Sequence, residues 1–335
     1  IRGAADKTPE VANGKMRRVA RYRIGGRERA GLLGGAVLLC KFKPGFPAVE
    51  EIRQNFSLYV SCDGFVTYPH RSHDPRDMEI LEVSPQFKDL FSGAGLQTFA
   101  DFMGKEVGQA MTKEKTRSMV KITLDGRTFY LKRMKKQTFA NSLWIFLTGE
   151  KPHGTAYREM LHVKELRDAG FDAMEVAAAG EIRTLGLPGD SFLMTREVDG
   201  QDLDPLYRAS TAEDRREISR RFGELLGKLH ATGFYSRVRL KDVLVGPGSS
   251  IPARAFTLID RETRHPYPRM FSKRKVLALL TAAISRHQRM GIEVRPETVR
   301  WFLDGYVSGI SAKWKISRVA LFRICKERMG VSGGK

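Results

Sequence analysis

The strongest periodic signal lies in the second half of the chain. Ile218, Phe222, Leu225, Leu226 and Leu229 recur at i, i+4, i+7, i+8 and i+11, the spacing that lays apolar residues along one stripe of a helix. Val276, Leu279, Leu280, Ala283 and Ile284 repeat it, as do Val299, Phe302, Leu303, Tyr306, Val307 and Ile310. These amphipathic helices predict a helical lobe. Between the first two, Asp242 to Val245 and Ala255 to Ile259 read as short β-type runs, the second ending in Asp260.

Upstream the pattern changes to strands. Met119 to Leu124 and Arg127 to Arg133 are strand-like runs joined by Asp125-Gly126, a two-residue turn suited to a tight antiparallel hairpin. Tyr157 to Ala169 (YREMLHVKELRDA) predicts a helix ended by Gly170, and Ser191 to Val198 (SFLMTREV) a buried strand leading into Asp199-Gly200. Residues 104–198 therefore read as a small β-rich lobe and 199–330 as the helical one. Residues 31–103 form an accessory region, with a strand near Phe56 to Val60 and a short helix opened by Ser84-Pro85 and closed near Gly93. Residues 1–30 are basic with little apolar periodicity, which predicts a flexible arm. The longest apolar run, Ala30 to Cys40, is about half of the roughly 20 residues a membrane helix needs, and is expected to be a buried strand.

Composition narrows the classes. The 335 residues include 58 Lys and Arg against 38 Asp and Glu, a net charge of +20 that favours polyanionic partners: phosphorylated glycolipid, membrane surface or nucleic acid. Nucleic acid is the weakest of these, because no aromatic-and-basic RNA motif accompanies the charge. Cys40, Cys62 and Cys325 are too scattered for a disulfide framework and form no C-x-x-C zinc pair, so a reducing cytoplasm is expected. The final stretch, Ala312 to Met329 (AKWKISRVALFRICKERM), reads equally as a helix lying on an anionic membrane surface or as one packed on the helical lobe.

Several residues stand where chemistry is possible. Lys132, in FYLKR on the second strand of the hairpin, shares a face with Tyr130, and an inward lysine needs an anionic partner. Glu159 on the following helix is that partner, and such a pair can present its ammonium to nucleotide phosphates. The segment around Glu197 and Val198 reads as a hinge whose backbone pairs with an adenine edge, with Asp202 beyond it for a ribose. Asp260, in FTLID after a β-type run, suits magnesium binding. Gly104 and Gly108 do not make the G-x-G-x-x-G loop, and Lys113, Lys115 and Arg117 are left either to cover phosphates or to form a solvated basic loop.

Between hinge and Asp260 lies GKLHATGFYSRVRLKDVLV, residues 227–245. Taken with FYLKR, the helix glutamate and TLID, its LHATGFY and DVLV resemble the lipopolysaccharide kinase family that phosphorylates heptose or Kdo in the core oligosaccharide. That resemblance covers roughly residues 85–310. It implies an α+β, two-lobed protein-kinase-like fold, ATP and magnesium as cofactors, and an anionic glycolipid or phosphorylated sugar as acceptor. Contact with the inner face of the cell membrane follows from it. It further implies that Lys132 contacts phosphate, Glu159 pairs with it, Asp260 binds metal and Asp242 is the second metal ligand. The departure is in the catalytic loop, where the family reads H-R-D and this chain reads Ser236-Arg237-Val238. Aligned forward from Leu229-His230, Val238 takes the aspartate position; aligned backward from Val243-Leu244-Val245, Arg237 takes it. Neither is a carboxylate, so Asp242 is the candidate to shift into the base role, Arg237 stands beside it as a second catalytic candidate, and a pseudokinase that binds without transferring is the alternative function.

Overall fold

The structure is a computed structural model that describes residues 10–12, 15–17, 19–24, 27–32, 66–71, 77–104, 107–135, 153–184, 186–248, 250–289 and 295–329. The chain divides into two units, Ile1–Leu58 and Tyr59–Lys335. In the first, β1 (Glu10–Ala12) pairs with β2 (Lys15–Arg17) and β3 (Val19–Ile24) with β4 (Arg27–Leu32), so two hairpins stand where a flexible arm was expected. Residues 33–40 of the apolar run and the strand expected at 56–60 lie outside the described residues.

The second unit begins with an antiparallel sheet. Its strands are β5 (Val66–Arg71), β6 (Asp77–Val83), β7 (Gln109–Lys113), β8 (Arg117–Leu124), β9 (Arg127–Met134), β10 (Val176–Thr184) and β11 (Leu187–Arg196). Their order is β5-β6-β10-β11-β9-β8-β7. The β8–β9 hairpin turns at Asp125 and Gly126, both at positive φ (48° and 71°), the primed turn whose twist suits paired strands. Strand β10 (VAAAGEIRT) escaped the sequence pattern because alanine and glycine carry no strand preference.

The accessory region proves to be part of this lobe from Asp77 onward. Strand β6 pairs with β10, and a 3-10 turn at Pro85–Phe87 leads into α1 (Lys88–Gly93) and α2 (Phe99–Gly104). Phe87, Phe91, Phe99 and Phe102 are buried with Val120, Ile122, Phe129, Leu131 and Phe192 on one face of the sheet. Without these phenylalanines, each worth roughly 2–3 kcal/mol on full burial, that face would be bare. A boundary at residue 104 therefore cuts through a core.

Helix α3 (Thr155–Asp168) covers the opposite face through Ala156, Met160 and Val163, which pack with Ala179 and Leu193. Gly170 follows at φ 82°, the left-handed position that ends helices.

The second lobe follows β11. A small sheet of β12 (Gln201–Asp202), β13 (Val243–Val245) and β14 (Phe256–Leu258) is attended by α4 (Leu203–Ala209), α5 (Ala212–Ala231), α6 (Lys273–Arg289), α7 (Pro296–Ile310) and α8 (Arg318–Met329). Helices α5 and α7 cross through glycines. At Gly223, Gly227, Gly305 and Gly309 an added Cβ would collide with the backbone of the facing helix. Helix α8 starts at Arg318, and its Leu321 and Cys325 are buried with Leu303, Tyr306 and Ile310. The last helix is thus packed on the lobe. Among the described residues, no helix is long and apolar enough to cross a membrane.

Candidate active site

Lys132 and Glu159 meet because β9 and α3 face each other. The central register pairs Lys132 with Leu193 of β11, and the side chain rises toward α3. Its Nζ lies 2.5 Å from Glu159 Oε2, with Lys132 5% exposed and Glu159 1% exposed. The start of α3 is fixed by Glu181 of β10, whose carboxylate accepts from Gly154 N at 2.7 Å and from Arg183 Nε at 2.7 Å. Tyr157 donates to Glu82, which also accepts from Lys164 Nζ at 3.0 Å. Glu82 and Glu181 were missed in sequence because each lies on a strand whose partner helix is set only by tertiary packing.

From the other lobe Asp260 reaches the same point. Its Oδ1 lies 3.2 Å from Lys132 Nζ and 4.0 Å from an Arg117 guanidinium nitrogen. Asp260 sits at φ 48°, in the left-handed region that Asp tolerates better than most non-glycine residues. Glu262 completes the cluster at 3.6 Å from Lys132 and 3.8 Å from Arg117. The sequence pattern did not mark it, because the alternation that puts i and i+2 on one side belongs to strands and the preceding strand ends at Leu258.

Burial works against the Lys132 ammonium, yet the carboxylates of Glu159, Asp260 and Glu262 together raise its pKa above the usual lysine value. Burial pushes Glu159 upward against the pull of Lys132. For Asp260 burial is outweighed by Lys132, Arg117 and Arg239, and the carboxyl is held below its ordinary range.

The catalytic loop is held by contacts that sequence reading did not anticipate. His162 of α3 donates from Nδ1 to the carbonyl of Pro266 at 2.8 Å, so its Nε2, 3.1 Å from Ser236 Oγ, accepts the serine hydroxyl. Burial lowers the His162 pKa to about 4. Arg261, 1% exposed, donates to Ser236 Oγ at 2.5 Å and to the carbonyl of Arg237 at 3.1 Å. Arg237 points outward, and Val238 is half-buried against the apolar core.

Asp242 departs most from expectation. It is 2% exposed, and Arg239 grips both its oxygens: the guanidinium at 2.7, 2.9 and 3.0 Å, and the backbone N–H at 2.9 Å. The structure therefore gives Asp242 a bidentate arginine partner and almost no exposure at the position where a base or second metal ligand was expected. Arg237, the other candidate for catalysis, contributes its carbonyl to Arg261 and no acid or base.

At the hinge, the Glu197 carboxylate accepts from Tyr130 Oη at 2.7 Å and from Lys121 Nζ at 2.9 Å. Its N–H donates to the carbonyl of Thr128, so that N–H is not available to an adenine edge. Val198 leans on the core below, and Asp202 is exposed just ahead of α4.

A magnesium ion bound through one carboxylate, phosphate oxygens and water fits Asp260, which is partly exposed at 42% of its side chain. Among the described residues, no three His, Cys, Asp or Glu side chains form a ready-made metal cage. Asp242, capped by Arg239, does not fit as a second ligand.

Lysine, glutamate and aspartate drawn together between a sheet lobe and a helical lobe define a kinase-like phosphotransferase. Residues 98–289, more than half of the chain, match the model of the Lipopolysaccharide kinase (Kdo/WaaP) family, and the chain belongs to that family. A structure of WaaP in complex with acyl carrier protein has the same fold, with a TM-score of 0.52 at 18% identity over 75% of this chain and 98% of that one. The kinase domain of Mycobacterium tuberculosis PknI superposes at a TM-score of 0.35 with 14% identity, covering 66% of this chain and 94% of that one. No curated protein sequence matches the chain.

Proposed function

We propose that the protein transfers the terminal phosphoryl group of ATP, with magnesium, to a sugar hydroxyl of lipopolysaccharide core or a related envelope glycolipid at the membrane face. The observation that carries this reading is the position of one ammonium, Lys132 Nζ, 2.5 Å from Glu159 and 3.2 Å from Asp260. Phosphoryl transfer depends chiefly on positioning and charge neutralisation. Lys132, oriented by Glu159, binds phosphate oxygens; Asp260 holds the metal, which neutralises the charge developing on those oxygens. Arg117 lies on the same side to add positive charge. Val198 and Asp202 border the base and ribose.

The acceptor side carries positive charge instead of a carboxylate. Arg237 faces out from the loop, and residues 263–289 contain no Asp or Glu. Within that stretch Met270 is 92% exposed among Arg264, Arg269, Lys273, Arg274 and Lys275. An apolar side chain amid basic residues supports an anionic, lipid-bearing acceptor.

Purified protein incubated with labelled ATP and core oligosaccharide is expected to transfer label, and a Lys132→Ala variant to lose it. Transfer no greater than that of the variant would favour the second reading, a nucleotide-binding pseudokinase, to which Arg237 and Val238 in the loop already lend support.

A further inference from the structure

Kinases of this fold commonly use two divalent ions, one on the aspartate that follows the last short strand and one on a residue at the end of the catalytic loop. The second position in this chain is Asp242, and its surroundings are unlike a vacant ligand. Arg239 stands three residues earlier, across the 3-10 turn Leu240–Asp242. Its guanidinium meets both carboxylate oxygens, and its N–H closes the same turn onto Asp242 Oδ2 at 2.9 Å. The Asp242 carbonyl accepts from Ile259 N at 2.9 Å, so this turn is tied to the strand that ends in Asp260.

The guanidinium does not stop at Asp242. One of its nitrogens lies 2.7 Å from Asp242 Oδ1 and 3.9 Å from Asp260 Oδ2, between the two carboxylates. That is the place a cation shared by both would occupy. Arg261 adds another positive charge, buried beside Asp242 and Asp260. Arg117, Lys132, Arg239 and Arg261 thus stand against Glu159, Asp242, Asp260 and Glu262, and the cluster is electrically balanced before any nucleotide arrives. A second dication brought to Asp242 would have to displace a bidentate guanidinium and then sit beside a buried one.

We propose that Arg239 replaces the second divalent ion, so that this protein binds nucleotide with one metal ion per chain. The proposal rests on the nucleotide reading above and specifies its stoichiometry. Arg239 is the charge-neutralising group on the acceptor side; Asp260 remains the ligand of the single ion.

The test counts bound manganese by electron paramagnetic resonance on the full chain, saturated with a non-hydrolysable ATP analogue. One ion per nucleotide-bound chain is expected for the wild type. Arg239→Ala frees the Asp242 carboxylate and should bind two; Arg239→Ala combined with Asp242→Ala, which removes the ligand altogether, should return to one. Arg239→Lys keeps the positive charge and should hold at one. If Arg239→Ala proves unstable because Asp242 is left buried and unpaired, Arg239→Gln keeps a donor to it and should also bind two. Two ions on the wild type, or one on both Arg239→Ala and Arg239→Gln, overturns the proposal and leaves the nucleotide reading standing. Failure of the analogue to bind at any manganese concentration overturns both.

Discussion

The two walls of the cleft are built on different principles. The wall from β9 and α3 holds its charges by long-range packing: Lys132 and Glu159 are 27 residues apart and almost wholly buried, with α3 fixed from β6 and β10 by Glu82 and Glu181. The wall from residues 236–242 holds Asp242 by a local pair, Arg239 three residues away with its side chain 48% exposed. Moving a buried pair requires the lobe to move; a half-exposed arginine on a 3-10 turn needs only a rotamer change. The nucleotide side is therefore rigid, while the acceptor side can be altered by a few neighbouring residues.

Breaking the rigid wall should have the largest effect. Lys132→Ala is expected to lower kcat/KM for transfer about 10³-fold, near 4 kcal/mol, because a positioned charge in a water-poor site is lost. It also leaves Glu159 buried and unpaired, which should reduce stability by about 3 kcal/mol in urea unfolding. Arg239→Lys keeps a positive charge beside the buried Asp242 but loses the bidentate geometry, and should cost about 1–2 kcal/mol. Equal losses for the two variants would show that the walls do not differ.

A smaller effect, on pH dependence, sharpens the comparison at the point where the walls touch. His162 belongs to α3, yet it accepts from Ser236 and donates to Pro266 in the other lobe. Its pKa falls from the ordinary 6.5 to about 4 in the folded protein. The folded state resists protonation more than the unfolded one, so this stability is full above pH 6.5. It is lost progressively as pH falls toward about 4, at roughly 1.4 kcal/mol per unit. Urea unfolding of the wild type across that range should show the loss, and His162→Gln should flatten the slope. An unchanged slope in the variant would remove His162 from the account. His230, buried with a pKa also lowered to about 4, contributes a parallel slope that the variant leaves in place.

The same contrast explains what could be read from sequence. The hairpin, α3, the amphipathic helices and the convergence of Lys132, Glu159 and Asp260 were legible, because each rests on a local turn, a helical period or an order of motifs. The helix-crossing glycines at Gly223, Gly227, Gly305 and Gly309 form two G-x-x-x-G spacings that went unread, because only the fold shows them facing each other. Glu82, Glu181 and His162 were illegible because their partners lie 75, 27 and 74 residues away, with nothing local to mark them. The arginine partner of Asp242 went unread for a different reason. Arg-x-x-Asp is a local signal, but a turn and a vacant metal ligand look alike until the arginine is seen to fold back.

The finest contrast lies within the loop, between Arg237 and Val238, the two alternatives for the missing aspartate. Val238 packs against the apolar core, whereas Arg237 is exposed, with its carbonyl held by Arg261. Val238→Asp should therefore cost about 1–3 kcal/mol of stability, since it drives a carboxylate into apolar surroundings. Arg237→Asp should stay within about 0.5 kcal/mol of the wild type. If the acceptor side lacks only a base, Arg237→Asp should raise kcat a few-fold, the scale of a general base placed without optimised geometry. A gain from Val238→Asp, with none from Arg237→Asp, would put the acceptor on the core side of the loop and reverse the register inferred from exposure. A loss of transfer in Arg237→Asp without loss of stability would show instead that the outward arginine binds the acceptor, making positive charge the working feature of that wall.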